Sequence, residues 1–360
     1  MYAVFLVRQP DTFKKLIYME NNLTKEIFNR EIREANSICI LGHISPDGDC
    51  VGSVLGTFNY ICSLKGIKAG NAEAEEDRES GKESAVLVQP YLEEVNDKFL
   101  YLKGSDIVCT DPKDDRKYEL AIVCDCGDED RLGRFRHFMD HAQKVLMIDH
   151  HYTNPGFGDY MFVASNASSA CEVLFGMMEE TYVNKDIAEC IYTGLIHDTG
   201  VFRHNSTSPK TLRAAAKCME YGINFNAIIE ESFFSMTLRQ KRVLGWILTH
   251  MEARLDGRLI IACIDMKTRK ELDAVEMDMD GMIDQMRTTT GALLAAYIYE
   301  TKDHRGKLSL RSNSDLVDVS RIAANYGGGG HKRAAGCFMG LDFEKDKAEI
   351  ELAVLEQLNV

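Results

Sequence analysis

Four short apolar runs, each followed by polar or glycine-bearing residues, most constrain what this chain can fold into. They lie at residues 37–41, 85–88, 120–124 and 145–148. Helix-like patterns such as "VGSVLGTFNYICSLKG" and "SACEVLFGMMEETY" occur along the same part of the chain. Strands that alternate with helices predict an α/β fold, with a mainly parallel sheet flanked by helices. In such sheets, ligands bind at the carboxyl ends of the strands.

The length of 360 residues predicts two domains rather than one core. A long helical region is expected from about residue 208 to residue 250, and after it come strand-like runs such as "GALLAAYIYE" and "KLSLRSN". The acidic stretch at about residues 70–83 is expected to be a solvated insertion. The predicted organisation is a catalytic domain, a helical linker and a smaller α/β domain, at residues 20–225, 226–250 and 251–360.

Composition excludes several classes of protein. No apolar run approaches the roughly 20 residues that span a bilayer, and the N-terminus lacks the features of a signal peptide. Met1 and Met19 are both candidate translation starts. Eleven scattered cysteines, mostly within apolar runs, favour reduced thiols in a cytoplasmic protein without a membrane partner. The net charge of −14 argues against a long nucleic-acid partner, although divalent ions can neutralise a small anionic substrate locally.

Candidate metal ligands follow four of the predicted elements. The motif "HISPDGD" comes after the first apolar run, "VCDCGD" and "IDHH" end the third and fourth runs, and "HDTG" ends a predicted helix. Taken alone, "HISPDGD" more often indicates a turn with a helix cap. Four such element ends in one chain instead favour a metal site. The ligands offered are four carboxylates and two imidazoles: His43, Asp47, Asp49, Asp125, His150 and Asp198.

Six donors are too many for a single catalytic zinc ion. Mixed carboxylate and imidazole ligands suit Mn²⁺ or a related divalent ion, with Mg²⁺ and Co²⁺ as further candidates. Two ions about 3.5–4 Å apart would hold the attacking and leaving oxygens of a phosphoryl transfer and would activate a hydroxide at neutral pH. One carboxylate must bridge such a pair, and Asp125, alone at its strand end, is the most economical choice.

A glycine cluster near the C-terminus, in "NYGGGGHKRAAGC", is a second candidate site. By itself a glycine run usually forms a flexible loop. Glycines also allow backbone N–H groups to approach a phosphate closely. Upstream, Arg311 in "LSLRSN" offers a forked donor that matches phosphate. The two segments could form an anion-binding site that faces the metals across a cleft between the domains.

In this order, the motifs resemble those of the DHH phosphoesterase superfamily, named for "DHH" at residues 149–151. The resemblance covers nearly the whole chain after residue 20, and "SLRSN" with "GGGGHKRAAGC" is similar to the accessory domain of its exonuclease-like branch. Within the superfamily the chain looks most like the short, two-domain nanoRNase type. That resemblance implies Mn²⁺-dependent release of 5′-mononucleotides from very short RNAs, and removal of the 3′-phosphate from adenosine 3′,5′-bisphosphate (pAp).

The resemblance also implies a role for each matching residue. One metal would be bound by His43, Asp47 and Asp125. The other would be bound by Asp49, Asp125, His150 and Asp198. The catalytic residues would be Asp49, Asp125 and His151, and Asp149 would orient an imidazole. His151 would face the scissile phosphate together with the substrate-binding residues Arg311, Gly328, Gly329, Gly330 and His331.

Other functions with the same site stay open at this point. An exopolyphosphatase or a phosphodiesterase of cyclic or linear dinucleotides would use the same metal ligands. A non-catalytic nucleotide-binding regulator is disfavoured, because a protein that has lost catalysis usually loses a ligand and all six are present here. A homodimer is the default expectation for the oligomeric state.

Overall fold

The computed structural model describes residues 21–67, 86–112 and 115–358. The predicted acidic insertion at about residues 70–83 and the choice between Met1 and Met19 lie outside the described residues. The chain divides into two compact units, Met1–Phe234 and Ser235–Val360. In the part of the chain that the structure describes, no helix is both long and apolar enough to cross a membrane.

The first unit is built on a five-stranded sheet in the order β2-β1-β3-β4-β5. Every neighbouring pair of strands is parallel, which confirms the predicted parallel sheet. Three strands coincide with predicted apolar runs, and β2 overlaps the run at 85–88 only at residues 87 and 88. The half-buried strand β5, with the sequence YMFV, is absent from the prediction. The strands are β1 Ser37–Leu41, β2 Leu87–Tyr91, β3 Leu120–Cys124, β4 Lys144–Asp149 and β5 Tyr160–Val163.

Helices cover both faces of this sheet. Alternate residues of β1 point to opposite faces, so Ile38 and Ile40 pack in one apolar cluster while Cys39 and Leu41 pack in another. The helices are α1 Lys25–Glu34, α2 Gly48–Lys65, α3 Arg136–Asp140, α4 Ala170–Met177, α5 Lys185–Thr199, α6 Pro209–Glu220 and α7 Phe225–Ile229.

Helices α2 and α5 pack unusually close together. A Cβ added to Gly52 of α2 would lie 2.5 Å from the carbonyl oxygen of Cys190 in α5, so this contact requires glycine. The close approach sets the first turn of α2 beside the last turn of α5. As a result, Asp49 and Asp198 lie near each other although 149 positions separate them along the chain.

The second unit contains a six-stranded sheet in the order β10-β11-β9-β8-β7-β6, in which only β7 and β8 pair in parallel. One face packs against α11 and α12, and the other packs against α8 and α10 over β7 and β8. The strands are β6 Glu252–Arg254, β7 Leu259–Ile264, β8 Leu294–Glu300, β9 Gly306–Ser312, β10 Gly329–His331 and β11 Ala334–Met339. The helices are α8 Leu238–His250, α9 Met266–Glu271, α10 Met282–Met286, α11 Val319–Ala324 and α12 Phe343–Leu358.

The region predicted to be helical from about residue 208 to residue 250 is mostly helical, and the structure divides it into separate helices. Gly222 has a φ of 75° and ends the continuity after α6. Asn224 then caps α7, a π-helical turn follows at Glu230–Phe234, and Thr237 caps α8. Local capping by polar side chains therefore overrides the apolar periodicity in this region. The division between the two units falls at this break.

Candidate metal centre in the first unit

The carboxyl ends of β1, β3 and β4 lie side by side in the sheet, because these three strands are direct neighbours. His43 follows β1, Asp125 follows β3, and His150 follows β4. The backbone N–H of Asp125 still donates to the carbonyl oxygen of Ile148 at 3.0 Å, so the strand ladder fixes its position. The three predicted ligands thus meet at one edge of the sheet.

Asp125 lies at the centre of this group and is only 2% exposed. Its Oδ2 is 3.6 Å from Nε2 of His43, and its Oδ1 is 3.5 Å from Nε2 of His150. Within the described residues, Oδ1 is buried without a hydrogen-bond partner. The backbone of Asp125 is left-handed, with a φ of 53°. The two carboxylate oxygens therefore face two different histidines.

Two further carboxylates approach His150. Its Nε2 lies 3.0 Å from Oδ2 of Asp198, at the end of α5, and 3.8 Å from Oδ2 of Asp49, in the first turn of α2. Asp49 has no exposed surface and accepts hydrogen bonds from the backbone N–H groups of Ala170 at 2.6 Å and Cys171 at 3.0 Å. These N–H groups begin α4, where unpaired donors and the helix dipole stabilise a negative charge.

His43 and Asp47 lie on the other side of Asp125. Oδ1 of Asp47 is 3.9 Å from Nε2 of His43 and also caps α2 by accepting from the backbone N–H groups of Asp49 and Cys50, each at 3.1 Å. Nδ1 of His43 lies 2.7 Å from the carbonyl oxygen of Ile44. A proton on Nδ1 donated to this carbonyl leaves Nε2 free to bind a metal.

The charges of this site favour bound cations. Burial lowers the pKa of His150, but the adjacent carboxylates of Asp125 and Asp198 outweigh it and raise the pKa to about 12. Burial alone would raise the pKa of Asp125, yet His150 and His43 hold it well below its usual value. Burial together with the charges of Asp125 and Asp198 raises the pKa of Asp49. Several acidic groups thus share one small buried space, where a bound cation would neutralise their charge.

The donors in this region suit divalent cations. Among the described residues, three sets of histidine, cysteine and carboxylate side chains have ligand atoms within 4.8 Å of one another. Oxygen and imidazole donors favour Mn²⁺ and related ions, and the unpartnered Oδ1 of Asp125 is the kind of buried atom that a metal ion would satisfy. The three sets are His43 with Cys50 and Asp125, Asp125 with His150 and His151, and Asp49 with His150 and Asp198.

His151 lies beside these groups and is held by a separate carboxylate. Its Nδ1 is 2.7 Å from Oδ1 of Asp149 and 3.6 Å from Oδ1 of Asp125. Asp149 is fully buried, and its Oδ2 accepts a hydrogen bond of 2.6 Å from Nδ2 of Asn154. The hydrogen bond with Asp149 raises the pKa of His151, which burial alone would lower.

Apart from His151, the predicted substrate-binding residues lie in the second unit. Arg311 is paired with Ala334 across β9 and β11, and Ala334 is paired with His331 across β11 and β10. Directly paired residues share one face of a sheet, so Arg311 and His331 lie on the same face with a small alanine between them. Nε of Arg311 is 3.7 Å from Oδ1 of Asp284.

The glycines beside His331 differ in what they offer a ligand. The N–H of Gly328 donates to the carbonyl oxygen of Ala323 at 3.0 Å, so this amide is occupied within the fold. A role of Gly328 in substrate binding stays a prediction, and this N–H is already used within the fold. Gly329 and Gly330 form the exposed edge strand β10 with His331.

Sequence reasoning missed three residues that touch the metal centre. Sγ of Cys50 accepts a hydrogen bond of 3.2 Å from the backbone N–H of His43. Nη2 of Arg131 lies 3.0 Å from Nδ1 of the same histidine. Asn154, described above, holds Asp149. Only Cys50 gave a local signal, because it directly follows the aspartates of "HISPDGDC".

Two family models match this chain. The model of the DHH family, N-terminal domain, matches residues 37–195, and that of the DHHA1 domain matches residues 256–357. The chain belongs to the DHH family. It is an enzyme of the DHH phosphoesterase type. The family and the fold class predicted from the motifs are thereby confirmed.

Relatives match most of this DHH-family chain. The bifunctional oligoribonuclease and PAP phosphatase NrnA of Thermus thermophilus is 27% identical over 325 residues, which cover 89% of this chain and 90% of that protein. The protein of the same name from Bacillus subtilis is 25% identical over 340 residues, with 91% and 96% covered. The crystal structure of an exopolyphosphatase-related protein from Bacteroides fragilis superposes with a TM-score of 0.81 at 21% identity, with 93% of this chain and 96% of that chain covered. This last likeness concerns the fold alone.

Proposed function

We propose that this DHH phosphoesterase hydrolyses very short oligoribonucleotides to 5′-mononucleotides and removes the 3′-phosphate from pAp. The observation that carries the proposal is the position of Asp125, whose two oxygens face His43 and His150 at 3.6 and 3.5 Å. A buried carboxylate placed between two imidazoles in this way is suited to bridge two metal ions, which is the arrangement that phosphoryl transfer uses.

The proposed ligand sets are those predicted from the sequence. His43 and Asp47 would complete one metal site around Asp125, and their ligand atoms lie within 3.9 Å of each other. The other site would be completed by Asp49, His150 and Asp198. When bound, the two ions supply Lewis acidity that lowers the pKa of water and neutralises charge on a phosphate. We propose Mn²⁺ as the working ion, on the chemistry of the donors.

The chain's own residues would orient the substrate. The hydrogen bond with Asp149 keeps His151 protonated to higher pH, and a protonated imidazole can donate to an oxygen of the scissile phosphate. In the second unit, Arg311 and His331 would bind a further phosphate or the nucleotide. Gly329 and Gly330 would allow the close approach of that phosphate.

The choice of substrate rests on charge and on the relatives. A net charge of −14 opposes long polyanions, whereas a dinucleotide or pAp needs only the local positive charge of metals and a few side chains. The relatives from Thermus thermophilus and Bacillus subtilis carry both activities in their names. The eleven cysteines are unpaired, which agrees with the proposed cytoplasmic location. The homodimer, and the absence of long duplex nucleic acid and of a membrane among its partners, stay predictions.

A metal-dependent activity screen tests the proposal. Purified protein loaded with Mn²⁺ is given pAp, di- to pentanucleotides, a cyclic dinucleotide and polyphosphate, and products are separated by chromatography. We expect mononucleotides from the short RNAs and AMP from pAp. Polyphosphate cleavage without nucleotide cleavage would replace the proposal by the exopolyphosphatase alternative. No turnover of any substrate, with metal content confirmed, would favour the non-catalytic regulator.

Asp125→Asn provides the matched test of the site. The amide keeps the shape of the carboxylate but cannot bridge two cations, so we expect turnover to fall by about 100-fold to 1,000-fold, as for other groups that stabilise the transition state directly. Asp130→Asn is the control, because Asp130 is 86% exposed and pairs only with Arg136 in the ion pairs of the described residues. Equal activity of the two variants would contradict the proposed role of Asp125.

A further inference from the structure

Arg131 is fixed next to the metal centre by main-chain contacts. It belongs to the 3₁₀-helical segment Glu129–Phe135, which follows the loop after β3. Its carbonyl oxygen accepts a hydrogen bond of 2.7 Å from the N–H of Ile44, and its N–H donates to the carbonyl oxygen of Asp128 at 3.1 Å. The loop that carries Arg131 is thus attached to the loop that carries His43.

The side chain of Arg131 and the carbonyl oxygen of Ile44 both approach Nδ1 of His43. Nη2 of Arg131 is 3.0 Å from Nδ1 of His43, and the carbonyl oxygen of Ile44 is 2.7 Å from that Nδ1. One ring nitrogen cannot satisfy both. Nδ1 must carry a proton to donate to the carbonyl, and it must lack that proton to accept from the guanidinium.

Metal binding decides between these two arrangements. If Nε2 of His43 binds a cation, the neutral ring carries its proton on Nδ1, and this proton is donated to the carbonyl oxygen of Ile44. Nη2 of Arg131 then faces an N–H group and loses its acceptor on the ring. A guanidinium stays charged at any working pH and has no acceptor atoms, so its N–H groups are then available to another acceptor.

We propose that Arg131 binds a non-bridging phosphate oxygen of the substrate once the metals are in place. The inference rests on the proposed function and names a substrate-binding residue in the first unit. The guanidinium contacts one side of the His43 ring, and Nε2 on the other side of that ring lies 3.6 Å from Oδ2 of Asp125. Planar, paired N–H groups match phosphate oxygens well. Arg131 would thus add a fixed positive charge where the carboxylates otherwise dominate.

Kinetics of Arg131→Gln on pAp and on a dinucleotide test this role. We expect kcat/KM to fall between about 10-fold and 150-fold, which is the effect of one lost hydrogen bond to a charged group. Arg131→Lys, which keeps a charge but not the fork, should lie between wild type and Arg131→Gln. Arg134→Gln is the matched control, since Arg134 lies in the same segment, is half-exposed and pairs with Asp111 at 3.9 Å. It should match wild type.

Two further readouts separate substrate binding from a role in holding His43. Mn²⁺ affinity, measured by electron paramagnetic resonance of the unbound ion, should be the same in Arg131→Gln and wild type. Free guanidinium ion at a non-denaturing concentration should restore part of the activity of Arg131→Ala. A parallel loss of Mn²⁺ affinity, an absence of rescue, or equal kcat/KM in Arg131→Gln and Arg134→Gln would overturn the inference. An inactive wild-type protein would instead refute the proposed function itself.

Discussion

Two carboxylates near His151, Asp125 and Asp149, have different surroundings and different proposed roles. Asp125 lies among the proposed metal ligands, whereas Asp149 is fully buried and contacts His151 at 2.7 Å and Asn154 at 2.6 Å. Asp149 therefore acts on the imidazole rather than on a metal in our proposal. Its hydrogen bond raises the pKa of His151, so the protonated ring persists to higher pH than an isolated histidine would allow.

Asp149→Asn should lower activity mainly at alkaline pH. An amide cannot stabilise the imidazolium by charge, so the pKa of His151 falls and the alkaline limb of the pH profile of kcat/KM moves to lower pH. Above that limb we expect a loss on the order of 100-fold, the lower end of what a positioned proton donor contributes. Steady-state kinetics across the pH range measure both effects.

Asp159→Asn is the control for this substitution. Asp159 is exposed, and its Oδ2 accepts from the backbone N–H of Val145 at 2.8 Å, a bond that an asparagine oxygen keeps. Its pH profile should overlay that of wild type. If Asp149→Asn gave the same alkaline limb as wild type, His151 would not be the group that titrates there.

Residues next to apolar runs could be predicted from the sequence, and residues brought in by loop contacts could not. The aspartates and histidines after β1, β3 and β4 follow buried strands directly, and parallel strands place such residues at one edge. Arg131 reaches His43 across 88 positions of sequence, through contacts between two irregular segments. No periodicity or spacing encodes such a contact, so only the folded structure reveals it.

Secondary structure elements position the ligands through one close helix contact. Gly194 of α5 lies against the first turn of α2, and a Cβ at this position would be 2.5 Å from Oδ1 of Asp49. That Cβ would also clash with Sγ of Cys171, at the start of α4. Three helices thus meet around Asp49, which explains how a wholly buried carboxylate is held in one orientation.

Gly194→Ala should destabilise the protein and damage the site together. Overpacking of this kind costs about 1–3 kcal/mol in the free energy of unfolding, and displacement of Asp49 should weaken Mn²⁺ binding. Urea unfolding and metal titration measure the two effects. Gly176→Ala in α4 is the control, because among the described residues no atom lies within 4 Å of its added Cβ. Alanine there should raise stability by up to about 1 kcal/mol. Similar changes in both variants would argue against the close contact.

Elements differ in how far sequence could predict them. Strands β3 and β4 are buried on both faces, so their continuous apolar runs predicted central strands of a parallel sheet. The edge strand β5 is also a short apolar run, YMFV, and half-buried along its length; so short a run does not by itself distinguish a strand from a helical segment. Between residues 208 and 250 the apolar periodicity continues across the breaks between helices. The capping residues Asn224 and Thr237 determine where α7 and α8 begin.

At the scale of the whole molecule, the proposed metal ligands come from distant parts of the first unit. They span positions 43 to 198 and meet only when the sheet and helices α2, α4 and α5 are assembled. The unfolded chain offers no comparable site. Divalent ions should therefore bind the native state in strong preference to the unfolded state and stabilise it.

Addition of Mn²⁺ to metal-free protein should raise the melting temperature by about 5 °C or more, given an ion concentration of roughly 100 times Kd. Differential scanning calorimetry with Mn²⁺ and with EDTA measures this shift. Asp125→Asn should lose most of it, while Asp130→Asn should keep it. A melting temperature that does not respond to Mn²⁺ in wild type would contradict the proposed metal centre.

The left-handed backbone of Asp125, with its φ of 53°, has a consequence for how this enzyme can change in evolution. Besides glycine, asparagine and aspartate are the residues that most readily accept this conformation. Of these three, only aspartate carries a charge. The backbone and the metal chemistry thus select the same residue for independent reasons. A change to asparagine would keep a residue that this backbone conformation accepts while removing the charge that the proposed metal ions need.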